Sequence, residues 1–164
     1  MKIDVSKLTS LKENILSEDL VFDEASFPCY PPLLKVNSCH VDISAHNYEE
    51  FIDVNVSLKA EVVLQCSYTL KPFVTVIKAK DSMHFSNSEE DEDFIQYKGN
   101  LIEMDKYIFD LLSASIPSSP KAPGAKLPED GKGYRIISED EFKKEKEATG
   151  NSKFDALKDF EFDD

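Results

Sequence analysis

No run of apolar residues in this chain approaches the roughly 18 that a membrane-spanning helix needs. The first residues, Met1-Lys2-Ile3-Asp4-Val5-Ser6-Lys7-Leu8, also lack the continuous apolar stretch of a signal peptide. No membrane association is expected, and the expected location is the cytoplasm. The three cysteines, Cys29, Cys39 and Cys66, are odd in number and irregularly spaced. That pattern implies no disulfide framework and reads as buried or free thiols of a reducing compartment. Basic residues are scarce too: 19 Lys and Arg against 32 Asp and Glu leave a net charge of -13. Structured RNA is a dense polyanion whose binders usually present a basic face, so extensive direct nucleic-acid binding is disfavoured. An acidic surface suits a basic partner, or simply keeps the chain in solution.

The local signatures of catalysis are missing as well. There is no G-x-S-x-G, no P-loop and no H-E-x-x-H. Gly131-Lys132-Gly133 lacks the third glycine and the preceding strand of a dinucleotide site, and reads as a turn. Cys39, His40, His46, Cys66 and His84 are metal-ligand types, but their spacing is wrong for one ion. Cys39 and His40 are adjacent and face opposite sides of a strand, and His40 and His46 on one strand stand about 20 Å apart. The run Glu89 to Asp93 has neither the glycine nor the closing glutamate of a calcium loop. No catalytic residue, metal, cofactor or small-molecule substrate is expected; a metal-dependent or hydrolytic enzyme is the alternative from another class.

What the sequence does contain is a long period-two signal. With 41% apolar and 31% charged residues in 164, the composition is that of one folded domain with appendages. Val41, Ile43 and Ala45 alternate with polar residues, and Ile52, Val54, Val56, Leu58, Ala60, Val62, Leu64 and Cys66 hold one parity against Asp53, Asn55, Ser57, Lys59, Glu61 and Gln65. Two strands joined by a turn at Asn47-Tyr48-Glu49-Glu50 follow, the second long enough to need a bend or bulge. A third strand is expected over Tyr68 to Lys80, then a polar, mobile loop from Ser86 to Asp93. From Leu101 to Ser115 the period changes to that of an amphipathic helix, with Leu101, Met104, Ile108, Leu111 and Leu112 on one side and Pro117 at its end. Ser118 to Gly133 reads as an extended loop and Tyr134 to Ile137 as a short strand. Ser138-Glu139-Asp140-Glu141 is a capping box that opens a second helix to about Ala148. The expected fold is α+β over residues 1–128: a curved antiparallel sheet or partly closed barrel covered by the amphipathic helix. Residues 129–164 form an acidic helical extension.

Two stretches are candidates for partner contact. Between Glu61 and Asp81 no acidic residue occurs, whereas Lys71, Lys78 and Lys80 do, beside Tyr68 and Phe73. Lysines with aromatic faces suit single-stranded RNA, and the plainer reading is a strand with core aromatics and solvated lysines. The terminal Phe154 to Asp164 alternates aromatic residues, among them Phe160 and Phe162, with carboxylates. Such segments fold on a basic partner or dock on their own sheet.

Cys66-Ser67-Tyr68-Thr69-Leu70 after a long strand, Gly99-Asn100 leading to Glu103-Met104, Ser115-Ile116-Pro117 closing a helix, and Gly131-Lys132-Gly133-Tyr134 occur in that order. In this order they resemble the YceD/YlbN family of large ribosomal RNA subunit accumulation proteins. Tyr68 stands where that family usually has arginine, and Thr69 where some members have a second cysteine. Ser118 to Ala122 lacks the cysteine that often follows the proline, so a cysteine-based metal site is not expected. The resemblance implies a non-enzymatic bacterial factor needed for 23S ribosomal RNA accumulation and large-subunit assembly. Its expected partner is a basic ribosomal protein or assembly factor, with rRNA contact as a further expectation. The candidate contact residues are Cys66, Tyr68, Lys71, Phe73, Lys78, Lys80, Pro117, Gly131, Gly133, Tyr134, Phe160 and Phe162. A general acidic interaction module with no ribosomal role is the third alternative.

Overall fold

The computed structural model describes residues 1–10, 12–48, 50–88 and 94–149. The chain divides into two compact units, residues 1–123 and the residues from Gly124 onward. In chain order the elements are β1 (Lys2–Asp4), β2 (Glu13–Leu20), β3 (Leu33–Asn47), β4 (Ile52–Gln65), β5 (Pro72–Ser86), β6 (Ile95–Gln96), β7 (Leu101–Glu103), α1 (Asp105–Ala114) and α2 (Glu139–Thr149).

The core of the first unit follows from β4. Its apolar residues recur at every second position, so Ile52, Val54, Val56, Leu58, Ala60, Val62 and Leu64 share one face, and none is more than 2% exposed. β3 lies antiparallel beside it and sets Cys39, Val41, Ile43 and Ala45 opposite Ala60, Leu58, Val56 and Val54. β5 flanks the other side, with Phe73, Ile77, Ala79 and Phe85 opposite Leu64, Ala60, Leu58 and Ile52. The inner face is closed by α1, where Ile108 and Leu112, four residues apart, are fully buried. Tyr107 of the helix meets Phe85 of the sheet edge to face at 5.4 Å. The β1–β7 ribbon adds Ile3 and Ile102 to the same core.

Several expectations need correction. The sheet is mixed rather than antiparallel throughout, because β6 pairs parallel with the end of β5. It is open and not closed into a barrel: the strand order is β2-β3-β4-β5-β6, and the inner face is covered by α1 and the ribbon instead of by the sheet's own edges. The first helix starts at Asp105, since Leu101 to Glu103 take their backbone partners from β1 and bury Ile102 there. The bulges sit on β3, between Leu33 and Lys35 and between Val36 and Ser38, and not on β4. The third strand begins at Pro72 and runs to Ser86; as its first residue, Pro72 interrupts nothing. β2 is an additional edge strand that places Ile15 in solvent at 73% exposure. The Glu89 to Asp93 loop and the Phe154 to Phe162 segment lie outside the described residues.

In the second unit the capping box forms as its sequence requires. The Ser138 N–H donates to Glu141 Oε2 at 2.9 Å and the Glu141 N–H donates to Ser138 Oγ at 3.2 Å. Glu139, Asp140 and Glu141 then occupy the first turn of α2, at the positive end of its dipole. Instead of a strand over Tyr134 to Ile137 there is a single bridge between Gly131 and Tyr134. Among the described residues no helix is long and apolar enough to cross a membrane.

Candidate functional site

Cys66 follows the last residue of β4, and the chain must reverse within six residues to enter β5. The Cys66 N–H donates to the Lys71 carbonyl at 2.9 Å, the Leu70 N–H to the Cys66 carbonyl at 2.8 Å, and the Gln65 side-chain amide to the Leu70 carbonyl at 3.2 Å. Leu70 takes a left-handed φ of 57°, uncommon for a residue with a Cβ, and these bonds hold it there. The Cys66 side chain is completely buried. Its Sγ accepts the Ala122 N–H at 3.4 Å. That bond first, then the Thr69 hydroxyl and the Thr69 and Tyr68 N–H groups, draws the thiol down to about 7 against the desolvation that would raise it.

The same turn grips a distant segment. The Ser67 N–H and Oγ both donate to the Pro120 carbonyl, at 2.8 and 3.0 Å, and Pro120 is buried. The Lys121 ammonium stands 4.8 Å from the centre of the Tyr68 ring, within cation–π range. Cys66, Tyr68 and the residues just after Pro117 are therefore brought together, which spacing alone did not show. Chemically the arrangement stabilises a turn. A thiol closed off from solvent is a poor nucleophile, and among the described residues no three His, Cys, Asp or Glu side chains gather to hold a metal.

Pro117 itself is exposed and lines an apolar groove of about 570 Å³ between the 26–33 loop and the end of α1, together with Phe27, Tyr30, Leu33, Phe109 and Ile116. Phe22, Phe27 and Phe109 pack against one another beside it, each pair of rings 5.2 Å apart.

The proposed lysine and aromatic patch is divided by the sheet. Phe73 turns inward and packs on the core, whereas Lys78 and Lys80 point outward. Lys71 is exposed on the turn. The register supplies a lysine the sequence reading missed: Lys59 lies directly opposite Lys78, and Ser57 opposite Lys80. On the same outward face His40 lies opposite Lys59 and Asp42 opposite Ser57. The Asp19 carboxylate, 2.7 Å from His40 Nδ1, raises the His40 pKa, with Asp42 adding to it.

Gly131 and Gly133 form the turn that precedes α2. A Cβ at Gly131 would collide with the Tyr134 ring, and Gly133 has φ +88°. Tyr134 remains 63% exposed. Phe160 and Phe162 lie outside the described residues.

Comparison with curated proteins and with solved structures gave no match. The family described as large ribosomal RNA subunit accumulation protein YceD matches residues 54–161, about two thirds of the chain. The matched stretch takes in most of β4, the Cys66 turn, the outward lysines of β5, α1 and the segment through Ala122 that the turn grips. With the match continuing beyond these through the capping box of the second unit, the chain belongs to the YceD family of large ribosomal RNA subunit accumulation proteins.

Proposed function

We propose that this protein is a non-enzymatic factor that supports 23S ribosomal RNA accumulation and large-subunit assembly by binding a basic ribosomal protein or assembly factor, or rRNA. The observation that carries the proposal is the family match across residues 54–161. The surface chemistry supports a binding role. The groove beside Pro117 offers aromatic and aliphatic anchors of the kind that dominate protein interfaces, with Lys106 and Asp110 at its margin. A net charge of -13 draws a basic partner from a distance and sets the salt sensitivity of the encounter. Tyr68, Lys71, Pro117 and Tyr134, with Phe160 and Phe162 of the acidic end, are the proposed contacts.

Gradient sedimentation of a lysate at low and moderate salt tests this. The protein should travel with large-subunit particles and precursors and be released as salt rises. A protein that stays at the top of the gradient at low salt would be an acidic interaction module without a ribosomal role.

A further inference from the structure

We infer that the outward face of β3, β4 and β5 binds the sugar–phosphate backbone of RNA through Lys59, Lys78 and Lys80. This rests on the ribosomal reading above and names the contact within it. Lys59 and Lys78 are direct cross-strand partners, so their side chains leave the sheet about 5 Å apart, and Lys80 follows two residues on along the same face. Like charges set opposite one another weaken a sheet, which calls for an anion from outside.

The fold pairs no carboxylate with them: among the described residues none of the three ammonium groups has a carboxylate within ion-pairing distance. The acids on this face are turned to other groups: Asp19 to His40, Asp42 to Ser17 and His40, Asp53 to Asn55, Ser82 and His84, and Glu61 to the Asn37 amide. The three lysines line a depression of about 350 Å³ together with Ser57, His40 and Asp42. A hydroxyl among several flexible cations is the chemistry that receives phosphate oxygens. No Phe, Tyr or Trp occupies an outward position on these three strands, and the His40 ring beside the lysines is tied to Asp19. Binding here is to the backbone and independent of sequence.

The test uses the full chain and a labelled, unstructured oligoribonucleotide of mixed sequence, with fluorescence anisotropy read from about 50 to 200 mM salt. Three phosphate contacts on a single strand give a log–log slope of about -2, a loss of roughly 20-fold over that range. The triple substitution K59Q/K78Q/K80Q should flatten the slope and weaken binding at low salt by about tenfold or more. A control triple at the exposed Lys12, Lys98 and Lys126 should leave the slope unchanged, and circular dichroism should show all three proteins folded. A wild-type chain that fails to bind at the lowest salt, or a K59Q/K78Q/K80Q variant that binds as wild type does, overturns the inference. Running the same proteins through the gradient separates the two readings. Co-sedimentation retained while RNA binding is unaffected by the triple substitution sinks the RNA face alone. Co-sedimentation lost in the variant with RNA affinity unchanged assigns the face to a protein partner and overturns RNA contact. Absence of wild-type co-sedimentation sinks the ribosomal reading itself.

Discussion

Replacing Cys66 tests whether the thiol holds the turn and its gripped segment together. In Cys66→Ala the Ala122 N–H, 3.4 Å from Sγ, loses its acceptor, and the donors from Thr69 and Tyr68 lose theirs. Leaving a buried donor unpaired costs about 1–3 kcal/mol, and deleting a buried sulfur adds about 1 kcal/mol of lost packing. Thr69 is exposed and its hydroxyl can turn to water, so the expected total is about 2–3 kcal/mol. For a chain of this length that corresponds to a fall in Tm of about 6–10 °C. Cys66→Ser keeps an acceptor of similar shape and should cost about 1 kcal/mol. Urea unfolding of the three proteins measures both values. The pH dependence adds a second readout. The folded thiol lies at about 7 and its ordinary value is 9.0, so the fold favours the thiolate. An acid whose pKa is depressed on folding contributes stability that is complete above its unfolded pKa and is lost as pH falls through the folded one. The stability gap between wild type and Cys66→Ser should therefore widen from about pH 7 to 9. A Cys66→Ala variant within about 0.5 kcal/mol of wild type, or a gap that narrows with rising pH, refutes the reasoning.

Four further outcomes are expected. Leu58→Ala, in the middle of β4 and 2% exposed, should destabilise the first unit by about 2–4 kcal/mol in urea unfolding. Lys78→Gln should raise stability by a few tenths of a kcal/mol, about what removing one member of a like-charged cross-strand pair relieves, measured in low salt. Asp19→Asn should lower the His40 pKa in an NMR titration, because the Asp19 carboxylate is its main charge partner. The raised wild-type pKa means that this pair stabilises the fold at pH below the ordinary His value and ceases to as pH rises through the folded one. Ser138→Ala should cost α2 about 1 kcal/mol, seen as faster amide exchange in its first turn; exchange equal to wild type would show that the capping box contributes nothing.

The residues that announced themselves were those whose burial repeats strictly. β3 and β4 alternate over many residues, so their pairing, their turn and their inner face could be read directly, and the Ser138 capping box is a four-residue code with a local structural meaning. Elements stabilised mainly by distant partners could not be read in this way. Leu101 to Glu103 continues the helical pattern of α1 and becomes a strand because β1 lies beside it. β2 lies at the sheet edge, where Ile15 is exposed and no alternation marks a core face. At the candidate site, parity separates Phe73 from Lys78 and Lys80 even without a structure, whereas Lys59 joins the lysines through the β4–β5 register. Nothing in Cys66 to Leu70 signals a left-handed leucine, and the partners of that turn, Pro120 and Ala122, come from more than fifty residues away.

Whether the protein sustains large-subunit ribosomal RNA is measured by the ratio of large- to small-subunit rRNA in cells depleted of it. The ratio should fall on depletion, with large-subunit precursors accumulating or being degraded, and return when the intact chain is supplied again. An unchanged ratio in cells that demonstrably lack the protein would contradict the account.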